Sequence, residues 1–431
     1  MRINLTTVTT RPLHAVLLPA ADATGRMLEA LSAALDGTGP AILPLDPDLP
    51  RPRLAAMIDA FAPSVIEFSD GPERTAASSP GGHPAGGVGP DTALVIATSG
   101  STGQPKGTEL SAAALVASAR ACLRRIGAGP GERWLCCLPT FHIAGIQVLV
   151  RSLLTGTDPV VAGRLEPGAL AASGCAHVAV VPTQLRRMLD ASDDLTAVKT
   201  ILLGGAAAPA GLLDAARAAG GRVVTTYGMS ETSGGCVYDG VPLDDVSVDI
   251  GPDGRVRIAG PVLFSGYRLR PDLTAGARDG RWFVTSDVGS IGPAGELLVR
   301  GRADDVINTG GEKVVAAEVE EALGTCEGVR EAAVVGRPDP EWGELVMAVV
   351  VPADPSAPPL LADIRAHVRA RMPTCAAPAA LLLVPEMPML PSGKPDLAAL
   401  RARAAEAPDV VTATGRQAHG TRTGTNDRVE R

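Results

Sequence analysis

Residues 93–107 read ALVIATSGSTGQPKG. A short apolar run, the right length for a buried strand, gives way to Thr98, Ser99, Gly100, Ser101, Thr102 and Gly103, and Lys106 closes the segment. The glycines let the backbone turn tightly with its N–H groups exposed, the hydroxyls add donors, and Lys106 adds a positive charge. Such a loop suits a polyphosphate, and ATP is its natural ligand. It is not a Walker A loop, because Pro105 precedes Lys106 and Gly107 follows it where that pattern needs Ser or Thr. An Ala-rich helix starts near Ser111, so the loop is expected to lead from a strand into a helix.

On the N-terminal side, residues 14–68 alternate apolar runs (AVLLP, SVIEF) with Ala/Leu-rich stretches, as βαβ units do. Between them and the loop, residues 69–91 are rich in Gly, Pro and Ser and read as a mobile linker. On the C-terminal side the α/β pattern continues through VAVV (178–181) and TILL (200–203). From about Ser233 to Arg300, turn signals such as GPDG and GPAG space short strands. After Gly301 come helical VAAEVEEALG, strands EAAVVG and VMAVVV, and helical ADIRAHVRARM. Residues 405–431 are polar and nonperiodic and read as a disordered tail. The expected architecture is α/β: a large N-terminal domain of α/β sheets plus a β-rich subdomain (1–301), then a small mobile α+β C-terminal domain (302–404).

Composition narrows the partners. The chain has 431 residues, 45% hydrophobic and 20% charged, enough apolar surface for more than one core. A net charge of -8 without clustered Lys and Arg argues against nucleic acid. The partners expected are small molecules. The seven cysteines show no CxxC spacing and read as reduced thiols. The N-terminus holds no run long enough to span a bilayer, so membrane insertion is not expected and the reading is cytoplasmic. Homodimerisation is left open.

Further blocks follow the loop in a fixed order: GGAAAP (204–209), TYGMSET (226–232), TSD (285–287), GRADDVINTGGEKV (301–314) and PSGKPD (391–396). The set resembles the signatures of the adenylate-forming superfamily, which contains acyl-CoA synthetases, adenylation domains of peptide synthetases and firefly luciferase. The resemblance covers roughly residues 93–400 and implies ATP, Mg2+ and coenzyme A as cofactor and co-substrates. Chemically, small Gly204, Gly205 and Ala206 after a strand let adenine approach, and Tyr227, beside Gly228, offers a face to stack on it. Glu231, after Ser230, suits a magnesium ion on triphosphate. Asp287, expected to end a strand, can accept hydrogen bonds from both ribose hydroxyls, with Arg302 assisting. The family usually carries Thr at the place of Ser230 and Gly at that of Ser286. Read one at a time, Tyr227 is a core aromatic, Glu231 a solvated charge and Asp287 a turn residue. Only the ordered set promotes them.

The resemblance also implies that Lys394 bridges the carboxylate and the α-phosphate in adenylate formation, that Asp304 is a hinge, and that the Gly310–Gly311 loop clears a path for the pantetheine arm. For the acid, LPTFHIAGIQVLVRSLLTG (138–156) and VPTQLRRML (181–189) resemble the o-succinylbenzoate-CoA ligase family of menaquinone biosynthesis, especially its short actinobacterial forms. Fewer than a hundred residues precede the phosphate loop, so part of an N-terminal subdomain is expected to be trimmed. His142, Arg151 and Gln184 are the acyl-pocket candidates, Arg151 having the alternative of snorkelling to water from a rim. Another aryl- or acyl-CoA ligase, an enzyme loading a carrier protein, and a catalytically silent nucleotide-binding relative are the alternatives. The presence of Lys394, Glu231 and Asp287 speaks against the last.

Overall fold

A computed structural model of the chain describes residues 10–18, 23–68, 71–74, 87–99, 105–163, 165–208, 210–390 and 395–406. It comprises two compact units, the larger running to Asp304 and the smaller from Asp305 to Pro388, resuming at Pro395. Gly100, Ser101, Thr102, Gly103 and Lys394 lie outside the described residues, as do residues 407–431.

In the larger unit β1 (Arg11–Leu17), α1 (Ala23–Leu35), β2 (Ala41–Pro44), α2 (Arg51–Phe61) and β3 (Val65–Phe68) alternate, and β1 pairs in parallel with β2 and β3. β4 (Gly71–Arg74) and β5 (Gly87–Val88) then pair antiparallel with β3 and β1. Both fall within 69–91, so the linker reading is corrected there. Ladder hydrogen bonds and the burial of Val88 hold residues whose own composition signals only a loop.

β6 (Thr92–Ser99) and β7 (Pro105–Ser111) form an antiparallel pair with Thr98 opposite Lys106. The Gly-rich segment therefore connects two strands, and the expectation that it enters a helix directly is corrected. Residues 105–111 carry little strand signal of their own; pairing with β6 makes them a strand. Then α3 (Ala112–Ile126) begins, with Ser111 as N-cap accepting from the Ala114 N–H at 3.1 Å.

The second sheet is built from β8 (Trp134–Cys136), α4 (Ile143–Thr155), β9 (Val160–Val161), α5 (Ala169–Ala172), β10 (His177–Val180), α6 (Pro182–Asp190), β11 (Thr200–Leu203), α7 (Ala210–Ala218), β12 (Val223–Met229), β13 (Gly234–Tyr238) and β14 (Val241–Pro242). Its strand order is β14-β13-β12-β11-β10-β8-β9. Alternation along the strands sets the layers. Leu94 and Ile96 of β6 pack with α1, α3 and α4, whereas Val95 packs with Phe61 of α2. Cys122 of α3 and Val148 of α4 pack with Trp134, Ala179 and Leu202 of the second sheet. Residues of α6 and α7 cover its other face. α3 and α4 thus lie between two sheets, which is why α4 is apolar nearly all round.

β15 (Ser247–Ile250) and β16 (Arg255–Ala259) open a third sheet. β17 (Gly266–Tyr267) returns to the first, pairing Tyr267 with Thr108 of β7. After α8 (Pro271–Gly276), β18 (Arg278–Asp279), β19 (Trp282–Ile291) and β20 (Leu297–Arg302) complete the third sheet. Asp287 lies inside β19 opposite Arg302, correcting the expectation that it ends a strand; a register shift at Val288 and Gly289 lets the ladder continue past it. Arg302 accordingly belongs to the larger unit.

In the smaller unit β21 (Val306–Thr309) and β22 (Glu312–Val315) form a hairpin, followed by α9 (Ala316–Leu323), β23 (Val329–Asp339), β24 (Gly343–Pro352), α10 (Leu361–Arg369), β25 (Ala380–Leu383) and α11 (Leu397–Glu406). α9 and α10 cover one face of this sheet and α11 the other. Residues 405 and 406 close α11, so they are not part of a tail. Among the described residues no helix is long and apolar enough to cross a membrane.

Candidate functional site

The β6–β7 pair carries Thr98 and Lys106 at the base of the Gly-rich segment, where the Thr98 hydroxyl donates to the Lys106 carbonyl at 3.3 Å. Facing them is the turn Ser230–Thr232 after β12, which holds Glu231. Tyr267, which sequence reasoning missed, joins the two: its hydroxyl donates to Glu231 Oε1 at 2.8 Å, and Lys106 Nζ lies 5.7 Å from its ring centroid. Burial first, then the charge of Glu231, raises the Tyr267 hydroxyl above its ordinary value, so it stays a donor. Glu231 Oε2 is engaged by no described residue. Among the described residues there is no cage of three His, Cys, Asp or Glu side chains. A single hard oxygen beside a phosphate loop suits magnesium, which keeps water and phosphate ligands and needs few carboxylates.

A second cluster forms where the second and third sheets meet. The Tyr227 hydroxyl donates to Asp287 Oδ2 at 2.7 Å, and Arg302 Nη1 lies 3.7 Å from Asp287 Oδ1. Burial first, then Asp287, raises the Tyr227 hydroxyl. Asp287 is only 9% exposed, and a carboxylate has lone pairs left for two further donors. Gly228, next to Tyr227, is required by packing: a Cβ there would sit 2.1 Å from the Gly234 carbonyl oxygen, across an irregularity in the β12–β13 ladder. Gly204, Gly205 and Ala206 follow β11, next to β12 in the sheet, and Gly205 and Ala206 are exposed.

The acyl-pocket candidates are not brought together. His142 is the N-cap of α4, half-buried, with its ring centroid 4.7 Å from that of Phe141. Gln184 accepts from the Val181 N–H at 3.1 Å and donates to the Cys137 carbonyl at 2.8 Å, so both ends of its amide brace the start of α6. Arg151 is 6% exposed, lies on the face of Trp134 with its Cζ 4.4 Å from the ring centroid, and approaches Cys122 at 3.6 Å. It sits in the layer between the two sheets, more than two turns along α4 from His142, and its burial does not fit the rim reading. Because α4 is buried all round from Gly145 to Ser152, a stripe argument could not tell which of its faces meets substrate.

In the smaller unit Gly310 and Gly311 form the turn of the β21–β22 hairpin with φ of +61° and +87°. That backbone demands glycine whatever passes it, so conformation as well as clearance accounts for the pair. The Gly310 N–H donates to the Trp342 carbonyl at 2.8 Å, and a Cβ on Gly310 would meet the half-exposed Trp342 ring at 2.6 Å. In the larger unit, Asp304 is exposed and pairs with Arg302 at 3.4 Å.

Residues 70–270 match the AMP-binding enzyme family and residues 318–394 the AMP-binding enzyme C-terminal domain. The chain is 41% identical over 404 residues to a probable 2-succinylbenzoate–CoA ligase of Mycobacterium tuberculosis (strain H37Rv), covering 90% of this chain and 97% of that protein. It is 30% identical over 326 residues to the 2-succinylbenzoate–CoA ligase of Listeria innocua, covering 70% of this chain and 68% of that protein. Among solved structures, o-succinylbenzoate CoA synthetase from Bacillus subtilis with the acyl-adenylate intermediate OSB-AMP superposes with a TM-score of 0.78 at 25% identity, over 93% of this chain and 90% of that one. With both family domains in order and a relative matched over nearly its whole length, the chain belongs to the AMP-binding enzyme family.

Proposed function

We propose that this protein is an o-succinylbenzoate–CoA ligase, which turns ATP, o-succinylbenzoate and coenzyme A into o-succinylbenzoyl-CoA, AMP and diphosphate through an acyl-adenylate. The observation that carries the reading is the likeness to the mycobacterial ligase over 97% of that protein, joined to the presence of Lys106, Tyr227, Glu231 and Asp287 in one unit. In the first half-reaction a carboxylate oxygen attacks the α-phosphorus and diphosphate leaves. Adenine lies along Gly204–Ala206 against the Tyr227 ring, and the ribose hydroxyls donate to Asp287, which Tyr227 and Arg302 orient. Lys106 and the N–H groups of its loop hold the phosphates, and Glu231 holds the magnesium. Magnesium, when bound, neutralises phosphate charge. Lys394 stabilises the charge that grows as the bond to diphosphate breaks.

In the second half-reaction the coenzyme A thiol attacks the acyl carbon and AMP leaves. Rotation about Asp304 brings the Gly310–Gly311 turn in place of the Lys394 segment. His142 lines the acyl pocket, and Gln184 shapes its wall by fixing the Cys137 carbonyl. The enzyme works in the cytoplasm, where ATP and coenzyme A are available.

A panel of aryl, dicarboxylic and fatty acids in ATP–diphosphate exchange, followed by thioester detection, tests the substrate. The expected result is turnover with o-succinylbenzoate well above all others. Strong turnover of another acid with none of o-succinylbenzoate overturns the assignment.

A further inference from the structure

Tyr267 stands between the two charged side chains of the phosphate end. Its hydroxyl satisfies Glu231 Oε1 at 2.8 Å, and its ring lies 5.7 Å from the Lys106 ammonium, within the range of a cation–π attraction. Among the described residues no ion pair joins Lys106 to Glu231. Opposite charges at one site attract, and a direct Lys106–Glu231 bridge would occupy both groups before any ligand arrived. A neutral donor on the carboxylate and a π face under the ammonium satisfy each without the other.

The backbone around Tyr267 is braced for this. The Phe264 N–H donates to the Glu231 carbonyl at 2.9 Å, the Ser265 N–H to the Glu109 carbonyl at 2.8 Å, and the Arg268 N–H to the Gly107 carbonyl at 2.7 Å. Residues 264–268 thus splint the Glu231 turn to the strand that carries Lys106. Arg268, 4% exposed, secures the splint by donating to the carbonyls of Phe61 and Gly87, at 2.5 and 2.9 Å, and pairing with Glu109 at 3.4 Å. The Phe264 ring packs on Tyr267, with centroids 4.9 Å apart.

We propose that Tyr267 is a positioning residue that keeps Glu231 and Lys106 apart, leaving Glu231 Oε2 for a divalent cation and the Lys106 ammonium for phosphate. The inference rests on the reading of Glu231 as the magnesium ligand. Nucleotide binding by calorimetry across a magnesium titration tests it, with AMP binding in the absence of magnesium and thermal melting as controls. Tyr267→Phe keeps the ring, and loss of a partner that orients a metal ligand should raise the magnesium needed for half-maximal ATP binding about tenfold. AMP affinity and melting should match those of the parent enzyme. Tyr267→Leu, which also removes the ring, should weaken ATP binding at saturating magnesium by a further factor of about three. Glu231→Gln should shift the magnesium dependence at least as far as Tyr267→Phe.

A shift in Glu231→Gln without one in Tyr267→Phe overturns the positioning role and leaves the metal reading standing. No shift in Glu231→Gln overturns both. Equal ATP affinity in the Leu and Phe variants at saturating magnesium overturns the part played by the ring. Lost AMP affinity together with lowered melting in Tyr267→Phe overturns the proposal in favour of a packing role.

Discussion

The Tyr227 hydroxyl and Asp287 Oδ2, 60 positions apart in the chain, share a 2.7 Å hydrogen bond that links the second sheet to the third. In the proposed function one side chain would offer its ring to the base while its hydroxyl aims the carboxylate that would take the ribose. Tyr227→Phe keeps the ring and removes the bond. An orphaned, nearly buried carboxylate oxygen costs on the order of 1–2 kcal/mol, so AMP affinity should fall by about 5- to 30-fold. Calorimetry with AMP checks this, and an unchanged affinity would mean that Asp287 orients itself.

Lys394→Ala separates the half-reactions. Diphosphate exchange should fall by a factor on the order of 10² to 10³, as when one charge-stabilising donor is lost, while thioester formation from preformed adenylate keeps most of its rate. Equal loss in both steps would contradict alternation between two loops.

The Gly310–Gly311 turn makes the opposite prediction. Alanine at either position adds left-handed strain of about 1–2 kcal/mol, and at Gly310 its Cβ also meets the Trp342 ring. Gly310→Ala should slow thioester formation more than Gly311→Ala, with adenylate formation kept in both. Adding Trp342→Ala to Gly310→Ala should recover part of the folding stability, read by denaturant titration.

Arg151 should matter to the core and not to the acid. Arg151→Ala removes the cation from the face of Trp134 and leaves a cavity, costing about 2–4 kcal/mol in unfolding free energy. In protein that remains folded, the KM for the acid should be unchanged. A raised KM with full stability would return Arg151 to the acyl pocket.

Glu320 sets a pH dependence in the smaller unit. Burial pushes its carboxyl up to about 6, opposed by the Val334 N–H it accepts from at 2.8 Å. A carboxyl raised on folding favours the protonated folded form. Its contribution is therefore complete below its ordinary value of 4.5 and is lost as pH rises through about 6. The loss is at most about 2 kcal/mol. Hydrogen exchange of the β23 amides between pH 4.5 and 7 should show falling protection in the parent protein and a flatter profile in Glu320→Gln. Identical profiles would remove Glu320 as the source.

Much was legible in the chain because the relevant physics is local. The parallel βαβ start and the helix that starts near Ser111 each follow from patterns within a few residues. The ordered motifs carried the reaction class for the same reason: each is a short run whose residues act together. Tertiary structure decided the rest, where a residue's meaning comes from a distant partner. Residues 105–111 became a strand only by pairing with β6, Gly87 and Val88 only by pairing with β1, and Arg151 a core cation only because two sheets enclose α4. Tyr267 carries no local signal of its use, since Lys106 and Glu231 reach its ring and hydroxyl from elements 161 and 36 positions away. Hydrogen bonds and burial act through space, and sequence distance does not record them.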